Sequence, residues 1–359
     1  MTRPSAPRLF PWVQVLRAAA AGAVAWLHIA HDAISAGHDP AGWLAAAAGF
    51  MPWTAGVDVF FVISGFVIVH ASGNLFAQRR GWLIFLRRRL TRIVPLYWML
   101  TTLLLATVLL DRSAVHGAVG GPWYIAASYL FIPAERPDGL VQPVLSLGWT
   151  LNYEMFFYLL MTPFLLLGRS LAVALCSAAL CVLAAAGQMH LFDAVPFVFW
   201  SNPVVLEFAA GMGLAQAAAY GLRLPGWLRL GLAGLALAAL HLDAVLGRSA
   251  GLLAIGGPAV LLVWAAVSGG GGQPRGRVLR FGVLLGDASY AMYLAHPFVM
   301  RGLTILGARL SGLGEWTGVG YVAVSLAVAQ AVAVAINLGV ERRLTGRLRR
   351  WASGRRLPA

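Results

Sequence analysis

The sequence predicts an all-α polytopic membrane protein. Apolar runs of about 17–25 residues, each long enough to cross hydrocarbon as a helix, recur along the whole chain. The 359 residues are 60% hydrophobic and only 11% charged, with a mean hydropathy of +0.76, beyond what a soluble domain of this size carries. The charge that exists is sorted. All 27 basic residues are Arg, and they cluster in short segments between apolar runs. That pattern is the positive-inside rule, so the net charge of +14 is a topology signal and not a nucleic-acid surface.

In chain order, residues 1–11 carry Arg3 and Arg8, and a first span covers 12–31. Arg17 interrupts its apolar run, so this is an uncleaved span and not a signal peptide. A polar, Gly/Ala-rich connection follows, then a span over 53–72. The segment 78–92, QRRGWLIFLRRRLTR, holds six Arg and reads as a cytosolic loop before a span at 93–110. A long connection, 111–146, contains a short apolar piece, Trp123–Ile132. Further spans fall at 147–167, 171–187, 203–220, 227–243, 250–267, 283–306 and 317–340. A Gly-rich basic loop, SGGGGQPRGRVLR, lies at 268–280, and the tail from Arg342 holds seven Arg.

Parity settles the short piece. The basic loops at 78–92 and 268–280 and both termini belong in the cytosol. An even number of crossings must then separate the loops, and the runs between them supply six without Trp123–Ile132. That piece is also too short for roughly 30 Å of hydrocarbon. It is expected to be re-entrant or interfacial on the outer side. The count is about ten transmembrane helices with both termini cytosolic, divided into a transmembrane domain over 1–341 and a basic cytosolic tail over 342–359. Cys176 and Cys181 share one apolar run without metal-ligand spacing and read as small packing residues.

The chemistry-bearing residues fall into four groups. On the first span, eleven residues separate Arg17 from His28. At ~100° per residue they lie within ~20° of one face, ~16 Å apart along the axis. A charge and an imidazole on one stripe must face protein or water. His31, Asp58 on the second span and Glu154 on the span at 147–167 share the outer half with His28. A His beside a carboxylate is the arrangement of a general base; interhelical polar glue is the competing structural role. Trp149 lies at the same level.

At the cytosolic mouth of the third span, Arg89 and Arg92 are three residues apart and face one way. Guanidinium forks suit phosphate oxygens, while the other Arg of that stretch suffice as topology anchors. The third group, GVDVFFVISGF at 56–66, has a Ser64–Gly65 pair for close helix contact. The fourth is SYAMYLAHP at 289–297. There His296 and the hydroxyls of Tyr290 and Tyr293 can line a polar cavity, and Pro297 removes one helical hydrogen bond. The chain has no phosphate-cradling G-x-x-x-x-G-K-S/T loop, no H-E-x-x-H and no Cys/His metal pattern, so no metal is expected.

These residues resemble the acyltransferase-3 family of bacterial membrane O-acyltransferases, which decorate exopolysaccharide, O-antigen and related glycans. The likeness rests on LR with ten residues before His (Arg17, His28), GVDVFFVISGFVI, RRLTRIVPLYW, W-T-L-x-x-E-x-x-F-Y from Trp149 to Tyr158, and SYAMYLAHP, in that order. Thr150 stands where serine is more usual, and the chain looks like the stand-alone form without an added esterase-like domain. The resemblance implies acyl-coenzyme A, acetyl-coenzyme A first, as cytosolic co-substrate. It implies a polysaccharide or lipid-linked sugar as acceptor, and the inner membrane as location. It implies that Arg17 and His28 are required and that Arg17, Arg89 and Arg92 hold the donor. Asp58 and Glu154 match motif positions beside His28. His31, Trp149, Tyr290, Tyr293 and His296 are then candidates for the acceptor site. Two routes stay open: His28 as base, or His28 as acyl carrier. From the residues alone, a transporter using His28, Asp58 and Glu154 as a proton relay is the alternative, though no inverted repeat is visible.

Overall fold

A computed structural model describes residues 9–110, 120–247, 251–309, 318–344 and 346. These are helical, with no strand among them beyond one isolated bridge, Glu135 to Val141. The helices are α1 (Pro11–Ser35), α2 (Trp43–Gly49), α3 (Ala55–Ala71), α4 (Gly81–Leu110), α5 (Pro122–Tyr129), α6 (Trp149–Phe164) and α7 (Arg169–Gln188). There follow α8 (Val195–Trp200), α9 (Val205–Ala219), α10 (Gly226–Val245), α11 (Gly257–Val267), α12 (Arg277–Asp287), α13 (Ser289–Arg309) and α14 (Gly318–Ile336). Five are long and apolar enough to cross a membrane: α1, α4, α7, α10 and the run Gly318–Leu344 that contains α14. Three shorter apolar helices, Ala55–Ala71, Val205–Ala219 and Leu252–Val267, add to them.

Three expectations change. The Arg-rich segment before the third span is not a loop, because α4 begins at Gly81 and carries Arg87–Arg89 and Arg92 inside it. No breaker lies between Gly81 and Arg92, and Arg is a good helix former. At 30 residues, ~45 Å long, α4 outruns the hydrocarbon and can hold its Arg turns at the headgroups. The span expected at 283–306 is two helices, broken at the buried Ala288. The Asn337 side chain donates to the Asp287 carbonyl at 3.1 Å, satisfying an acceptor that the end of α12 leaves open. Finally, α2 and α8 are short helices inside segments that the sequence reads as connections. The basic tail lies outside the described residues except for 342–344 and 346.

The chain divides into two compact units. One joins Met1–His70 to Gly213–Asn337, and the other joins Ala71–Met212 to Leu338–Ala359. In the first, α1 is the central element and lies against α2 and α11–α14. Pro11 opens it at the position where the missing N–H costs nothing. Its Ala-rich face lets neighbours come close, and Ile29, Ala30 and Ala33 form a core with Leu44, Tyr321 and Val322. Gln14 meets Gly286 of α12, while His28 meets His296 and Asp32 meets Thr304, so α1 runs parallel to α13.

Gly56 shows how tight this packing is. A Cβ added there would sit 2.5 Å from the Ala20 carbonyl oxygen of α1, whereas one at Gly22 would meet nothing within 4 Å. Gly56→Ala is therefore expected to cost about 1–3 kcal/mol and lower the melting temperature in detergent, while Gly22→Ala leaves it unchanged or raises it. Thermal melts of the two variants check this.

In the second unit, α5 is pinned beside α4. The Tyr97 hydroxyl donates to the Ser128 carbonyl at 3.0 Å, the Trp98 indole N–H to the Tyr129 carbonyl at 2.9 Å, and the Tyr124 hydroxyl to the Gln142 carbonyl at 2.8 Å. With eight residues, ~12 Å of helix, α5 fits the short non-crossing segment read from the sequence. The loop after it is closed by Arg136 gripping Asp138. That guanidinium holds the Asp138 carboxyl below its ordinary range, so the pair is intact at neutral pH and is lost on strong acidification.

Candidate active site

The first unit gathers Arg17, His28, His31, Asp58, Tyr290, Tyr293 and His296. Arg17 and His28 both stand on the unbroken α1, as their spacing requires. The Arg17 guanidinium donates to the Gln14 side chain at 3.2 Å. His28 is exposed, and so is His31. Asp58 is half-buried in the first turn of α3. Tyr293 is buried with its ring 6.1 Å from Phe60, and Tyr290 is half-buried.

The centre of this unit is a pair of histidines 268 residues apart in sequence. His28 Nδ1 lies 3.3 Å from His296 Nε2, with ring centroids 5.2 Å apart. His28 Nδ1 also lies 2.9 Å from the Val24 carbonyl, and His296 Nδ1 lies 3.1 Å from the Met292 carbonyl. A carbonyl only accepts, so each Nδ1 must carry a proton. In a neutral imidazole the other nitrogen then holds the lone pair. His296 Nε2 thus accepts from His28 Nδ1–H, and His28 Nε2 is left with a free lone pair on an exposed ring. His296 itself is 1% accessible. The chain of bonds Met292 carbonyl, His296, His28 orients the second imidazole and fixes its tautomer, the task a carboxylate performs in other His sites.

One helical turn on, Asp32 forms a polar knot that the sequence reading passed over. The Tyr321 hydroxyl donates to Asp32 Oδ2 at 2.7 Å, and Thr304 stands 3.3 Å from the same oxygen and 3.1 Å from the Tyr321 hydroxyl. The available signal was the four-residue step from His28 to Asp32, which places them on one face.

The second unit holds Arg89, Arg92, Trp149 and Glu154. Arg89 is turned inward and buried, while Arg87 and Arg88 are exposed and Arg92 is half-buried. Its guanidinium lies over the rings of Phe85 and Tyr158, at 5.6 and 5.7 Å. The Tyr158 hydroxyl donates to Glu154 one turn back on α6. Tyr158 thus stands between an arginine of α4 and a carboxylate of α6. The Trp149 ring meets Tyr153 edge-on at 6.0 Å. Glu207 of α9, 2% accessible, is a further buried carboxylate. Among the described residues, no three His, Cys, Asp or Glu side chains gather as metal ligands would.

Comparison with known proteins adds a family and a relative. The acyltransferase domain of the acyltransferase-3 family matches residues 10–338. The exopolysaccharide production protein ExoZ of Rhizobium meliloti (strain 1021) is 36% identical over 265 residues, covering 72% of this chain and 80% of that protein. No solved structure matches.

Proposed function

Since this chain belongs to the acyltransferase-3 family, we propose that it moves an acyl group, acetyl in the first instance, from cytosolic acyl-coenzyme A to a hydroxyl of an exopolysaccharide or its lipid-linked precursor. The His28–His296 pair carries this reading. It offers an exposed nitrogen lone pair, on a ring of fixed tautomer, inside a helix that also holds an arginine. The printed role of the ExoZ relative in exopolysaccharide production supports the acceptor class.

The chemistry balances with the groups present. His28 Nε2 takes the proton of the sugar hydroxyl as its oxygen attacks the thioester carbonyl carbon. The tetrahedral species collapses, the C–S bond breaks, and the departing thiolate recovers the proton from the imidazolium. An ester and free coenzyme A result. In this reading the protein lies in the inner membrane with ten spans and both termini in the cytosol. Arg17 faces the cytosol and His28 the outer side. The parallel run of α1 and α13 is what that topology requires. Arg17, Arg89 and Arg92 take the donor phosphates, and Asp58 and Glu154 supply negative charge toward the acceptor side. His31, Trp149, Tyr290 and Tyr293 line the acceptor path.

Proteoliposomes given radiolabelled acetyl-coenzyme A and de-O-acetylated exopolysaccharide test the proposal. Label is expected in the polysaccharide with matching release of coenzyme A. Transport of glycan without donor consumption would overturn it. Arg17→Ala is expected to raise the donor KM roughly 10–100-fold, the loss of a charge-assisted contact, while the acceptor KM stays within about twofold. Initial rates over both substrates check this.

A further inference from the structure

We infer that Asp32, locked by Tyr321 and Thr304, is a hydroxyl-binding residue of an acceptor subsite for a sugar that carries a free hydroxyl beside the one acylated. The inference rests on the proposed function for the position of the reacting hydroxyl. It stands on geometry of its own. Asp32 follows His28 by one turn of an unbroken helix, so the two side chains are neighbours on one face, ~5–6 Å apart at Cβ. The residue is half-buried, between the exposed His31 and a wall formed by α13 and α14.

The two carboxylate oxygens are used differently. Oδ2 takes both the Tyr321 bond at 2.7 Å and the Thr304 approach at 3.3 Å. Thr304 has one proton to divide between Asp32 and the Met300 carbonyl at 3.0 Å, so Tyr321 supplies the firm bond. Oδ1 makes no hydrogen bond among the described residues. The carboxylate is therefore held from one side, and its other oxygen is a fixed, unused acceptor beside His28. A bond that merely ties three helices together needs no charge; asparagine or serine would serve at lower cost in a membrane. A charged acceptor suits a neutral donor such as a sugar hydroxyl, because charge-assisted bonds are about twice as strong as neutral ones. With one hydroxyl on Oδ1 and its neighbour at His28 Nε2, a vicinal diol would be gripped at two points, and the hydroxyl that reacts would be chosen by the one that is held.

Equilibrium binding tests this without catalysis. Short oligosaccharides from de-O-acetylated exopolysaccharide are titrated onto the purified protein in nanodiscs, with no donor present. Asp32→Asn keeps the shape and the Tyr321 contact but removes the charge. Its Kd is expected to rise about 10-fold or more over wild type, by loss of a charged hydrogen bond. Tyr321→Phe frees the carboxylate and is expected to weaken binding by about threefold. His28→Ala removes the second of the two grips and is expected to weaken binding by about threefold, less than Asp32→Asn does. Wild-type affinity in a folded Asp32→Asn protein overturns the inference, as does the absence of binding to wild type. Retained binding in a protein that transfers no acetyl group instead counts against the proposed function alone and leaves Asp32 in place.

Discussion

Membranes carrying His28→Ala are expected to transfer acetyl groups at least 10²–10⁴-fold more slowly than wild type, the usual contribution of a positioned base. Few substitutions in this chain should separate activity from folding so cleanly. His28 is exposed, so removing its ring opens no core cavity, and alanine is the best helix former. The Ala-rich face of α1 that packs on α2 and α14 is untouched, because His28 is not part of it. Expression level should therefore match wild type, and the melting temperature should fall only by the loss of the bond to His296, while coenzyme A release falls by the stated factor. Undiminished transfer would remove His28 from the chemistry. The same variant, paired with wild type, separates the two routes open to the free Nε2. With acceptor withheld, an acyl carrier retains label on the protein, which His28→Ala does not. A general base retains none in either form.

Much of this site was legible from the sequence, and the gaps have physical causes. The Arg17–His28 stripe needed only helical period, and α1 is indeed one unbroken helix through both. That α5 would be short was legible from the short apolar run that holds it. The link between His28 and His296 was not, since 268 residues separate them and no local period spans that distance. Each residue was visible as an intramembrane His; their meeting depends on how α13 lies along α1. Tyr158 lies one turn from Glu154 and donates to it, a four-residue step that joins a carboxylate to a phenol and not to a His. Arg89 illustrates the reverse error. Charge counting assigned its segment to a loop, but a helix with one apolar face can carry an arginine inward over Phe85 and Tyr158 while its neighbours Arg87 and Arg88 stay outside. Asp32 was lost for a simpler reason: it sits where the apolar run ends, and polar residues there are ordinarily boundary markers.

His296 provides the sharper test of how His28 is prepared for its task. It is buried beside His28 and its Nδ1 is committed to the Met292 carbonyl, so in the proposed reaction its part is to position His28. His296→Phe fills nearly the same volume but removes the Nε2 acceptor. His28 Nδ1–H keeps only the Val24 carbonyl, and the ring loses the partner that holds it in plane. Loss of such an orienting partner typically costs 10–100-fold, and that fall is expected in kcat with both KM values little changed. His296→Gln is the discriminating companion, because its side-chain carbonyl can accept the same His28 proton and should restore most of the rate. A His296→Phe enzyme with wild-type kcat would show that the pair is packing alone.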